Sequence, residues 1–268
     1  MIPTRIIARL DVKGPDVVKG IQFEGVRRVG SPQELARKYY AEGADEILFI
    51  DSVASLYGRN NILSIVEKTA CEIFVPLTVG GGLRSIDDIR AALRAGADKV
   101  AINTGACQNP EILRQAANTF GSQSIVLSVQ AMKRTDGTWE AYTDNARERT
   151  HRNVLDWVVE AEALGAGEIL ITSVNNEGTR KGFDLDLTEA VYNKVKVPVI
   201  ACGGAGNAQH VDALLAKRCA DAVTCASIFH FGLCPIPQLK TYLHEHGQTV
   251  RQVSLHPVPV RASRPIGG

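Results

Sequence analysis

Short apolar runs recur along the chain, each followed by a stretch in which apolar positions return every three or four residues. The runs begin near Arg5, Glu46, Phe74, Lys99, Ser124, Glu168, Val197 and Asp221. Their near-continuous Val, Ile, Leu and Ala content marks strands buried on both faces. The intervening patterns predict helices over 32–42, 62–69, 86–95, 110–119, 153–164, 187–195, 208–216 and 237–246. Ser31-Pro32 and Asn109-Pro110 read as helix starts with a capping side chain and a proline in the first turn. Gly43, Gly96, Gly121 and Gly165 follow helices where a left-handed residue is wanted. Eight strand–helix units predict a parallel sheet closed into a (βα)8 TIM barrel, an α/β fold. Two connections, 12–30 and 132–152, are long enough to form lids over the face where loops follow strands.

A repeat sharpens this picture. Leu77-Thr78-Val79-Gly80-Gly81-Gly82 leads into a helix, and so does Val199-Ile200-Ala201-Cys202-Gly203-Gly204-Ala205-Gly206. Gly96-Ala97-Asp98 and Cys219-Ala220-Asp221 follow at the same separation of 123 positions, which makes the barrel a two-fold internal half-barrel repeat. Glycines let the backbone approach a ligand, and their N–H groups suit an anion, so two copies predict two phosphate sites.

With 268 residues, 45% of them hydrophobic, the chain is long enough to bury one large core; residues 1–252 are read as a single barrel and 253–268 as an unfolded tail. A net charge of +1 speaks against nucleic acid or an anionic membrane as the main partner. No apolar run reaches membrane-spanning length, and the N-terminus lacks a signal peptide's hydrophobic region. Six cysteines without a Cys-x-x-Cys pair fit free thiols in a reducing cytoplasm, and no spacing suggests a metal. No cofactor is expected.

Polar residues end several strands: Asp11, Asp51, Asn103, Gln130 and Thr172. Each is a candidate for substrate contact or for a plain loop hydrogen bond. Asp11 is the best general acid or base, because Gln130 cannot exchange a proton at ordinary pH. Lys19, in the first long connection, could close over a phosphate or lie in solvent. Alternation puts Arg5, Ile7, Arg9 and Asp11 on one face, so Arg9 enters the lumen with Asp11 unless the strand is irregular; inside, it requires a carboxylate. His230, just past the last strand, suits a packing or loop role. Arg5, Glu46, Lys99 and Glu168 open four strands with alternating sign, and taken alone would be exposed charges of little weight.

Together, Leu10-Asp11-Val12-Lys13, Val79-Gly80-Gly81-Gly82, Gly165-Ala166-Gly167-Glu168, Gly203-Gly204-Ala205-Gly206 and Ala226-Ser227-Ile228-Phe229-His230-Phe231 resemble the cyclase subunit of imidazole glycerol phosphate synthase, over residues 1 to about 252. The resemblance implies a barrel that receives ammonia from a glutaminase partner. It joins that ammonia to a ribulosyl-linked aminoimidazole carboxamide ribonucleotide, giving imidazole glycerol phosphate and the released carboxamide ribonucleotide. It also implies one phosphate site at Gly82, Asn103 and Thr104, and another at Gly178, Gly204 and Ser227. Lys19, Asp51, Thr172 and Glu177 would contact substrate, Asp11 and the residue at 130 would face each other as the catalytic pair, and Arg5, Glu46, Lys99 and Glu168 would form an ammonia gate. The chain departs from the family at the reaction face. Gln130 replaces the second catalytic aspartate, and Asn175-Asn176-Glu177-Gly178-Thr179 replaces Asp-Arg-Asp-Gly-Thr. Arg9 takes the place of a small residue, Asn145-Ala146 of a glycine pair, and Val53 of a threonine. The alternative reading is a barrel that activates a glutaminase and conducts ammonia to another acceptor, such as an amidotransferase of surface-glycan assembly. A single-chain isomerase barrel is a third, weakened by Gln130 and by the gate.

Overall fold

The structure, a computed structural model, describes residues 2–54 and 62–253. Eight parallel strands close into a barrel: β1 (Arg5–Lys13), β4 (Glu46–Asp51), β5 (Leu77–Gly80), β6 (Lys99–Ile102), β7 (Ile125–Lys133), β10 (Glu168–Ser173), β11 (Val199–Cys202) and β12 (Ala222–Cys225). Each pairs with its sequence neighbour among these, β1 with β12, and β7 with β10 across the two antiparallel strands between them. Helices cover the outside, among them Pro32–Ala41, Ile86–Arg94, Val154–Ala163 and Ala208–Ala216. The apolar faces of strands and helices meet in two outer clusters, one around Tyr39, Phe49 and Phe229, the other around Trp157, Leu127 and Ile169. A third cluster fills the lumen: Ile7, Leu48, Ala101, Val126, Leu170, Ile200, Cys202 and Ala222. Most of these positions lie two residues from a polar group of one barrel end or the other, on the same face of the strand, as the period of two requires.

Two strands start later than their apolar runs. Pro76 and Pro198 lack an N–H and cannot donate to the ladder, so pairing begins at Leu77 and Val199 while their carbonyls accept from Ile47 and Ile169. Phe74 is left outside and 78% exposed. The caps expected at Ser31 and Asn109 are not made. The Ser31 hydroxyl turns to Gln33 Oε1, and the later helix begins at Glu111 with Pro110 at its N-cap. The capping bonds come instead from Ser85, Asn153, Asp184 and Asn207, and Ser85 with Asp88 forms a reciprocal box. Gly43, Gly96, Gly121 and Gly165 all have positive φ, as their positions after helices demand.

The two long connections are ordered hairpins. β2 (Asp16–Ile21) and β3 (Glu24–Gly30) extend from β1, and β8 (Trp139–Thr143) and β9 (Glu148–Asn153) extend from β7. Short helices at Thr104–Gln108 and Ser227–His230 follow β6 and β12, and their first residues keep the 123-position offset. No helix among the described residues is long and apolar enough to cross a membrane. The tail expected at 253–268 lies, from Ser254 onward, outside the described residues.

Candidate functional site

Strand direction sorts the candidate residues into two ends. At the N-terminal ends of the strands, Arg5, Glu46, Lys99 and Glu168 form a closed ring. Arg5 Nη1 lies 3.0 Å from both Glu46 Oε2 and Glu168 Oε1. Lys99 Nζ lies 2.7 Å from Glu46 Oε2 and 3.1 Å from Glu168 Oε2. Thr78 Oγ1 donates to the remaining Glu46 oxygen at 2.6 Å. Glu46 is 1% exposed and Lys99 8%, so these are not the solvated charges that strand-end position alone would suggest. A buried ring of this kind is costly to desolvate and gains little over an apolar plug. The ring stands directly below the apolar lumen layer on the same strands.

Two clefts lie at the other end among the described residues. The larger is walled by Gly82, Asn103 and Thr104 together with Asp51, Gln130 and Thr172. The smaller is walled by Lys19, Glu177, Gly178, Gly204 and Ser227. The two glycine turns therefore serve one cleft each. Gly81 and Gly204 occupy matching places with φ of +97° and +107°, and each backbone runs against a neighbouring loop, Asp51 and Gly182 respectively, leaving no room for a side chain.

Arg9 reaches both clefts and is 4% exposed, so the strand is regular and the side chain points inward. Its carboxylate partner is Asp11, with Nε donating to Oδ1 at 2.8 Å, and its Nη1 donates to Cys202 Sγ at 3.2 Å. Lys19 is buried as well: it bonds Glu177 and lies 3.6 Å from Asp11 Oδ2. Burial alone would raise the Asp11 carboxyl, but Arg9 and Lys19 outweigh it and hold the group below the ordinary aspartate range. Burial keeps the Cys202 thiol protonated against the pull of Arg9. The β2–β3 hairpin carries Lys19 to this position and is pinned there by Gln22, whose N–H donates to Glu177 O at 2.9 Å.

Gln130 belongs to the other cleft. Its Oε1 accepts from Ala146 N at 2.7 Å, at the tip of the β8–β9 hairpin. Asp11 is not on the wall of that cleft, so the two residues expected to face each other as a pair are engaged separately, one by cations and one by backbone. The hairpin tip also closes downward, with Asn145 Nδ2 donating to Ser52 O at 2.6 Å. Its base is fixed by Glu140, 1% exposed, whose carboxyl Arg149 and Arg134 hold down to about 2 against the opposing effect of burial. Glu140 was not a candidate from sequence; an acidic residue at an inward alternation position among Arg134, Arg149 and Arg152 is the signal that could have marked it. His230 is half-buried, with Nδ1 2.7 Å from Tyr39 Oη, in keeping with a packing role. No group of three or more His, Cys, Asp or Glu with metal-binding geometry occurs among the described residues.

Comparison with known proteins identifies the family. Residues 5–235 match the family model described as histidine biosynthesis protein. The chain is 56% identical over 206 residues to a Legionella pneumophila protein named imidazole glycerol phosphate synthase subunit HisF, covering 77% of this chain and 97% of that relative. It is 48% identical to proteins of the same name from Lysinibacillus sphaericus, over 94% of this chain, and Myxococcus xanthus, over 95%, in each case along the relative's whole length. The chain thus belongs to the histidine biosynthesis protein family, among the HisF subunits of imidazole glycerol phosphate synthase.

Proposed function

We propose that the protein is an ammonia-accepting synthase subunit of lyase type. A glutaminase docks on the end carrying Arg5, Glu46, Lys99 and Glu168, and ammonia passes through the ring and the apolar lumen layer. At the far end it meets a bisphosphorylated ribonucleotide whose two phosphates lie in the two glycine-walled clefts. The products are imidazole glycerol phosphate and the carboxamide ribonucleotide. The observation that carries this reading is the combination on one set of strands: a ring of paired charges at one end, an apolar lumen above it, and duplicated glycine turns at the other. Six free thiols fit a reducing cytoplasm.

Gln130 and Arg9 make the proton-transfer apparatus weaker than the fold allows. Asp11 is committed to Arg9 and Lys19, and the amide at 130 is committed to a backbone N–H. The same observation favours a second reading, in which the barrel activates the glutaminase and hands ammonia to a different acceptor, such as an amidotransferase of surface-glycan assembly.

The test is turnover of the family substrate by the full chain, with ammonium salt and separately with glutamine plus the glutaminase. In the glutamine assay Lys99→Met should reduce turnover, because Glu46 and Glu168 then compete for Arg5 alone. In the ammonium assay the same variant should match the unaltered protein. No turnover from either source, with glutaminase activation retained, selects the second reading.

A further inference from the structure

The larger cleft requires a group that can give and take a proton; its wall carries two carboxyls, Asp51 and Asp144, the second accepting from Thr104 Oγ1 at 3.4 Å, and the other titratable groups at this end are engaged. Gln130 has no proton to exchange at ordinary pH. Asp11 is held ionised by Arg9 and Lys19, and Glu177 is bound to Lys19. His230 is half-buried and shares Nδ1 with Tyr39.

We infer that Asp51, at the C-terminal end of β4, is the catalytic acid and base of the larger cleft in this chain; the inference rests on the synthase reading above. The Asp51 carboxyl lies on the wall shared with Gln130, Asn103 and Arg9 and is 7% exposed. Oδ1 accepts from the N–H groups of Val53 at 3.0 Å and Ala54 at 2.9 Å, which fixes the side chain's rotation. Oδ2 has no hydrogen-bond partner among the described residues, so one oxygen is anchored while the other is left for a ligand. The close approach of Gly81 to the Asp51 backbone holds the turn in place. This is the division of labour a positioned acid needs.

Electrostatics support the geometry. Burial raises the Asp51 carboxyl above its ordinary range, and the two backbone N–H groups offset this only in part. Arg9, Arg84 and Asp144 are the other charged groups on the same wall. A group balanced in this way keeps its proton closer to neutral pH than Asp11, whose shift runs in the opposite direction.

The step it serves is condensation of ammonia with the substrate's ketone. The nitrogen lone pair forms the C–N bond while the carbonyl π pair moves to oxygen. That oxygen takes up a proton from nitrogen, and Asp51 donates a second as the C–O bond breaks and water leaves. The Asp51 carboxylate then recovers a proton from nitrogen as the C=N bond forms. Ketone and ammonia become imine and water, and Asp51 ends as it began.

The experiment is ammonium-dependent turnover of the full chain against pH, at constant free ammonia so that its own protonation does not shape the profile. Asp51→Asn retains Oδ1 as acceptor for Val53 and Ala54, so the turn is kept and only the exchangeable proton is lost. It should lower kcat by about 10²–10³-fold with KM little changed, and remove the alkaline limb of the profile; Asp51→Glu should restore part of both. A loss of less than roughly threefold, or one confined to KM with the limb intact, overturns the role of Asp51 alone, since general acid–base participation is worth far more. Absence of turnover in the unaltered protein overturns the synthase reading and this role together.

Discussion

Arg9 and Asp11 lie two residues apart on β1, turn to the same side, and meet at 2.8 Å between Nε and Oδ1 inside the barrel. The pair answers the question that an arginine in a lumen raises, because each charge supplies the other's partner. It also ties the carboxylate that the resemblance marks as catalytic to an arginine at a position where the resemblance implies a small residue. Arg9→Met would leave Asp11 buried with Lys19 alone at 3.6 Å. Breaking a buried pair from one side costs on the order of 3–5 kcal/mol, and Arg9→Met with Asp11→Asn should recover most of it. Asp11 has a depressed folded pKa. Its stabilisation is complete above the unfolded value of about 4 and disappears as pH falls through the folded value. Urea unfolding should therefore show the Arg9→Met deficit constant above about pH 5 and shrinking below about pH 4.

His230 gives a second pH signature in a different window. Burial pushes its imidazole down to about 4, although Asp11 pulls the other way. The neutral ring is the form that packs against Tyr39. Stability from this group is complete above the unfolded value of about 6.5, and it is lost as pH falls toward the folded value. His230→Gln should flatten the stability profile between those limits. An NMR titration placing the ring near the unfolded value in the native protein would refute the assignment.

The two clefts predict independent phosphate contacts. Thr104 and Ser227 open short helices at matching places in the repeat, one on each cleft wall. Thr104→Val and Ser227→Ala remove one hydroxyl each without entering the strained glycine turns. Hydrogen bonds to a charged group are worth about 1.5–3 kcal/mol, so calorimetry with a bisphosphorylated sugar analogue should show each variant weakened by that amount, and the two losses adding. Unchanged affinity in both would mean that the clefts do not hold phosphate.

The barrel was legible because buried parallel strands read as continuous apolar runs and the glycine turns repeat in register. The hairpins were not. β3 is exposed along most of its length and carries no alternation, and its turn uses Gln22 and Phe23 at positive φ where Gly or Asn would have announced it. The helices at Thr104 and Ser227 are too short to show a period, although the offset between them was already visible. Arg9's need for a carboxylate could be argued from alternation, and the partner proved to be on the same strand. The charged ring shows the opposite case: sequence position gives the strand ends, but only barrel closure brings β1, β4, β6 and β10 within ion-pair distance.

The amide at position 130 is expected to limit proton transfer while substrate binding is kept. Gln130 lines the larger cleft and gives its carbonyl oxygen to Ala146 N at 2.7 Å. A carboxylate in its place can exchange a proton, at the cost of a shorter reach to that N–H. The most direct measurement is ammonium-dependent turnover of the family substrate by the unaltered protein, by Gln130→Asp and by Gln130→Asp with Arg9→Cys, beside the Lysinibacillus sphaericus relative under the same conditions. General acid–base participation is worth about 10²–10⁴-fold, so the unaltered protein should fall below that relative by at least about a hundredfold with a similar KM. Gln130→Asp should raise kcat, and the double variant should raise it further. Turnover in the unaltered protein equal to the relative's would contradict the account.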